Sequence, residues 1–115
     1  MQILSLTGKI TTAIQAQATT CKLSWQADAL AVEDLCATLD INGFVVGTLL
    51  GLTGSYTDAM VGTSGKASKP PMTPVVMATV TSGIITVTFG AASTGVISWD
   101  LLWIPLGATS SVTAA

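Results

Sequence analysis

"GFVVGTLLG", residues 43–51, sets glycines at 43, 47 and 51 in an otherwise apolar run, the spacing at which two membrane helices bring their backbones together. The same residues can form a buried β-strand, and the two readings lead to different functions. Asn42-Gly43 is a strong signal for a tight hairpin turn, and Phe44, Val45, Val46, Thr48 and Leu49 favour an extended backbone. The seventeen uncharged residues between Asp40 and Asp58 stand at the lower edge of a helical membrane span, and Asn42, Thr48, Thr53, Ser55 and Thr57 dilute them. No Lys or Arg flanks the segment to set an orientation. The strand reading is therefore carried forward, with a membrane helix over 41–57 as its rival. As a strand, Gly43, Gly47 and Gly51 would share one side and leave a flat strip, either for an assembly contact or for internal packing.

Outward from this run, the chain alternates. In "CKLSWQADA", Cys21, Leu23, Trp25 and Ala27 point one way and Lys22, Ser24, Gln26 and Asp28 the other, the period of a half-buried strand. "KITTAIQAQ", residues 9–17, reads as a strand with one wet face, and residues 27–35 as a short helical turn. Leu35, Ala37, Leu39 and Ile41 form a strand leading into the Asn42-Gly43 turn. Residues 62–74, "GTSGKASKPPMTP", make a Gly/Ser/Pro loop. "VVMATVT", "IITVTFG" and "VISWDLLWIPLG" then read as a three-stranded meander that Pro105 ends. The expected fold is an all-β single domain over 1–115, an antiparallel β-sandwich or jelly-roll-like barrel. Its flanking segments are an arm at 1–8 and a tail at 107–115. Leu23, Trp25, Leu39, Ile41, Val76, Ile85, Val87 and Phe89 are the expected core.

Composition narrows the function. Half of the residues are hydrophobic and only 9% are charged, so a monomer has little charge to keep it apart from its neighbours, and assembly is expected. Four lysines, no arginine and a net charge of −2 supply no basic stripe, which argues against nucleic acid. Histidine is absent, removing the commonest general base and metal ligand. Cys21 and Cys36 lack CxxC spacing; they read as buried free thiols, or as a pair if their strands are adjacent in an oxidising setting. The start, "MQILSLTGKITT", lacks the pattern of a secretory signal, so cytoplasmic synthesis is expected.

Catalytic patterns are equally sparse. Glu33-Asp34 reads as a solvated turn, Asp100 as a position on the wet face of a strand, and "GTSGKAS" departs from the order of a phosphate loop. Trp25, Trp99 and Trp103 read as core, with stacking on a sugar as the alternative. No enzyme, no cofactor and no metal site is expected.

The ending "TGVISWDLLWIPLGATSSVTAA", with the preceding "IITVTFGAAS", resembles the closing hairpin and "PL" tail of small β-rich virion proteins of tailed bacteriophages, particularly capsid decoration or cement proteins. The resemblance covers about the last third of the chain. It implies a β-sandwich or small barrel, often trimeric, that sits on the outside of a phage head and ties neighbouring major capsid subunits together. The implied partners are the major capsid protein and further copies of this chain, and the implied location is the capsid surface of the virion. Candidate interface residues are Ile3, Leu4 and Leu6 as an apolar anchor, Gly43, Gly47 and Gly51, Trp99 and Trp103, and Val112 in the tail. Two rivals remain: a head-fibre or spike domain that binds host glycan through exposed tryptophans and the 62–74 loop, and a small membrane-associated virion protein.

Overall fold

The computed structural model describes residues 2–28, 30–63, 75–76 and 83–114, which build an all-β, sandwich-like fold of two antiparallel sheets. The strands are β1 (Gln2–Thr12), β2 (Thr20–Ala27), β3 (Glu33–Asp34), β4 (Leu39–Asp40), β5 (Leu49–Gly51), β6 (Val61–Thr63), β7 (Val75–Val76), β8 (Gly83–Phe89) and β9 (Val96–Ile104). In the first sheet β1 is central, with β9 along one edge and β5, then β6, along the other; β7 pairs with the start of β1. In the second, β2 is central, with β8 along one edge and the short β3 and β4 along the other. Ile3, Leu6 and Ile10 from β1 meet Cys21 and Leu23 from β2, with Leu50, Leu52, Ile41 and Met60 closing the core.

The long ladders owe their register to side-chain chemistry. The alternation read in residues 21–27 holds: Cys21, Leu23 and Ala27 are buried and Trp25 packs against the core. β1 does not alternate simply, because Ile3 and Leu6 are both buried although three residues apart. A β-bulge explains this. Ile3 pairs with Trp103 and Ser5 with Leu102, so Leu4 is the extra residue and the inward parity changes after it. A second irregularity lies between Ile10 and Thr12, where the strand ends; residues 13–17, expected to continue it, form a crossover to β2 instead.

Several other expectations are corrected. Residues 2–8 are not an arm but most of the central strand, with Ile3 wholly buried. Among the described residues of 27–35 there is no helical turn: the Leu30 N–H bonds the Ala27 carbonyl, Asp28 has a φ of +48°, and Glu33–Asp34 pairs with Trp25 and Ser24 as exposed strand β3. Asn42-Gly43 does turn the chain, with Gly43 at φ +67°, but it joins no hairpin; β4 and β5 lie in different sheets, and 41–48 bridges them by two consecutive turns. The segment 41–57 is therefore not helical, and no described helix is long and apolar enough to cross a membrane. The second half of the expected meander is also corrected: β8 pairs with β2 and β9 with β1, so residues 90–95 are a crossover rather than a hairpin turn, while residues 77–82, on which its first turn falls, lie outside the described residues. Of the expected core, Phe89 lies at the end of β8 and is half-exposed, while the Val76 side chain and residues 64–74 lie outside the described residues.

Two predictions follow from this packing. Because Ile3 and Leu6 fill the core, deletion of residues 1–7 is expected to abolish cooperative unfolding, and Ile3→Ala to cost about 2–5 kcal/mol in urea denaturation. At Gly95, φ is +129° and an added Cβ would stand 2.6 Å from Ile14 Cδ1 and 3.0 Å from the Ala13 carbonyl oxygen, whereas Gly43 faces open space. Gly95→Ala is expected to destabilise more than Gly43→Ala, whose cost is only the left-handed strain of about 1–2 kcal/mol.

Candidate interaction surface

The two crossovers determine which surfaces are left open. The Gln15 N–H donates to the Thr94 carbonyl at 3.0 Å, the Thr94 N–H to Gln15 Oε1 at 3.3 Å, and Gln17 Nε2 to the Ala92 carbonyl. These bonds lay the 13–19 crossover against the 90–95 crossover, so β8 and β9 leave on one flank of the sandwich. Beneath them, Ile14, Thr19, Ile41, Phe89 and Thr94 line a shallow pocket of about 100 Å³ with no titratable side chain.

The flanks differ in how their edges are finished. On the far side β3, β4 and β6 are two or three residues long, and Glu33, Asp34 and Asp40 charge the β3 and β4 edges. That flank is also closed: Ala37 and Ala59 form a bridge between the sheets, and the Ala37 N–H donates to the Asp58 carbonyl. On the near side β8 runs for seven residues and β9 for nine, and no described strand pairs with the outer edge of either. Such edges are normally blunted by charge, proline or brevity. Here β8 carries no charge, β9 carries only Asp100, and Ile84, Val96, Leu102 and Ile104 are exposed on their outer faces.

Backbone alternation shows which groups face outward. The Gly90 N–H donates to the Thr20 carbonyl in β2, so in β8 the even residues turn their N–H and C=O toward β2. Gly83, Ile85, Val87 and Phe89 turn theirs to the open side. Ile10 bonds the 47–48 segment on the β5 side, which sends the Thr7 and Lys9 backbones toward β9. The same reasoning leaves the N–H and C=O of Ile97, Trp99, Leu101 and Trp103 on the open edge.

The candidate interface residues separate in space. Ile3, Leu6 and Gly51 are buried in this chain's own fold and cannot meet another molecule, while Leu4 is the half-buried bulge residue. Gly43 and Gly47 have φ of +67° and +89° in consecutive turns, so with Gly51 in β5 they form no common strip. Trp99 and Trp103 are half-buried on the inner face of β9; the Trp99 ring lies over Gly8, with Cζ3 2.8 Å from where a Cβ would stand. The Phe44 ring covers Gly62 and that of Trp25 covers Gly83 in the same manner. Val112 is exposed beyond the last strand. The nearly uncharged outer faces of β8 and β9 were missed, although the run from 83 to 99 without a charged residue was their signal.

Little else on the molecule suggests chemistry. Among the described residues no group of three or more His, Cys, Asp or Glu could hold a metal. Lys22 and Asp34 form a partly exposed ion pair at 3.0 Å, the kind that contributes little to stability. Cys21 and Cys36 are free and buried, and Cys36 Sγ accepts the Leu23 N–H at 3.3 Å. Burial, then the neighbouring Cys36, pushes the Cys21 thiol up to about 11, and burial raises Cys36 as well. Comparison with protein-family models, with curated proteins and with solved structures finds no match.

The thiols give a signed pH dependence. At neutral pH both folded and unfolded chains keep these protons, so stability is unaffected. Above the ordinary thiol value of about 8.5 the unfolded chain releases them while the native chain retains that of Cys21, so the unfolded state gains. The urea midpoint is expected to fall between about pH 9 and pH 11, and Cys21→Ala to flatten that fall relative to the parent.

Proposed function

We propose that this chain is a structural virion protein, a decoration or cement protein that binds the outside of a tailed-phage head and stabilises contacts between major capsid subunits. The observation that carries the reading is the open flank: two long, nearly uncharged strand edges that no described strand pairs, on a protein that keeps its opposite flank short, charged and closed. Such a surface binds by main-chain hydrogen bonding and apolar contact, which need area and not reactive groups. A ligand of this kind stabilises an assembled lattice by mass action, because it binds the lattice and not the free subunits.

The half-buried tryptophans support this reading over the glycan-binding one. A sugar platform needs an exposed ring face, and the rings of Trp25 and Trp99 are laid over glycines of neighbouring strands and packed against the core. The contact with the capsid is assigned to β9, whose outer face carries Val96, Leu102 and Ile104.

In virions of the phage that encodes the chain, its copy number is expected to scale with that of the major capsid protein, and stripping it to lower the temperature at which heads release their DNA. Leu102→Lys, at an exposed position, is expected to reduce occupancy on heads while leaving the unfolding free energy within about 0.5 kcal/mol of the parent. Absence of the protein from purified virions, or confinement of a few copies to the tail, overturns the reading.

A further inference from the structure

We infer that the outer edge of β8, which no described strand covers, is a self-recognition surface, on which a second copy of this chain pairs antiparallel about a two-fold axis at Thr86, joining two four-stranded sheets into one. The inference rests on β8 alone and holds whether or not the protein decorates a capsid.

The geometry begins with the register that uses the whole strand. Gly83–Phe89 is centred on Thr86, so an antiparallel mate places Thr86 opposite Thr86, Ile85 opposite Val87, Ile84 opposite Thr88 and Gly83 opposite Phe89. Gly83, Ile85, Val87 and Phe89 are the residues whose N–H and C=O face the open side, so the Ile85–Val87 and Gly83–Phe89 pairs can exchange both hydrogen bonds. Thr86 then falls at a non-hydrogen-bonded position, where facing Cα atoms stand about 4.5 Å apart and side chains touch most closely. Thr–Thr is a favourable pair at such a site. On the solvent face Ile84, exposed by 60% in the single chain, gains the Thr88 side chain of the mate; on the inner face half-exposed Phe89 comes beside the mate's Gly83 and the Trp25 ring that covers it.

Charge favours a second copy on this edge. No charged side chain lies anywhere in β8, so self-pairing brings no like charges together. The corresponding full-length self-pairing of β9 is centred on Asp100 and would set two carboxylates face to face, which is destabilising. A closed two-fold contact also removes the edge from solution, whereas the threefold assembly implied by the phage resemblance would need two different complementary surfaces at each contact.

Sedimentation equilibrium and oxidative cross-linking of the full chain test the inference. The parent protein is expected at twice 11.6 kDa at micromolar concentration, and Thr86→Lys at the monomer mass with an unchanged circular dichroism spectrum. Thr86→Cys is expected to form a covalent dimer on mild oxidation. Thr88→Cys alone is not, although mixing it with Ile84→Cys restores cross-linking because those positions face each other. The parent, whose cysteines are buried, should not cross-link. A monomeric parent overturns the inference, as does a Thr86→Lys variant that keeps the parent mass, or cross-linking by Thr88→Cys alone as efficient as by Thr86→Cys. Should Thr86→Lys fail to fold, the three cysteine variants decide the register alone.

Discussion

The fold depends on the hydrogen-bonded contact between two crossovers, 13–19 and 90–95. Each carries the chain from one sheet to the other, and each alone would be a loop with backbone groups to satisfy. Laid together they satisfy one another through Gln15, Thr94, Gln17 and Ala92, and Ile14 seats against Gly95. The consequence is that β1–β2 and β8–β9 behave as two parallel arches. Each arch gives one strand to each sheet, and both long ladders, β1 with β9 and β2 with β8, follow from that alignment. These contacts join residues more than seventy apart in sequence, so the entropy of closing a long loop must be offset by the ladders and the core together.

Glycine has two physical uses in this core. At 43, 47 and 95 it supplies positive φ where the chain turns between sheets. At 8, 62 and 83 it is a seat for a ring from a neighbouring strand or turn, so Trp99, Phe44 and Trp25 fold down across the sheet rather than projecting into solvent. Three of the six aromatic residues thus lie over glycines of the sheets, and the outer faces of β8 and β9 carry mainly Ile, Leu, Val and Thr.

That division makes the open flank intelligible. The arches place the two longest edges side by side, while the 35–60 segment ties the other flank shut through Ala37 and Ala59. Charges follow the same asymmetry: Glu33, Asp34 and Asp40 mark the closed side, and Asp100 is the single ionised group on the open strands. An edge this long and uncharged is a liability in isolation, and pairing with a second copy along β8 and with a capsid surface along β9 would remove it.

The sequence by itself determined the class of fold and the inward set of β2, because alternation of Cys21, Leu23, Trp25 and Ala27 is a local property of the extended chain and needs no knowledge of the partner strand. It also determined that β9 ends before Pro105 and that Asn42-Gly43 turns, both local constraints on φ and hydrogen bonding. Only the tertiary structure decided whether a turn returns the chain to the same sheet or carries it to the other. A tight turn reads alike in both cases, so the expected hairpin at 42–43 and the meander of 84–104 were lost to crossovers. The bulge at Leu4 was illegible for a related reason: its parity change is imposed by pairing with Trp103 and Leu102, a hundred residues away, and not by any neighbour in sequence. The interaction surface followed suit, since an edge is defined by the strand that is absent beside it, and adjacency is a property of the sheet rather than of the chain.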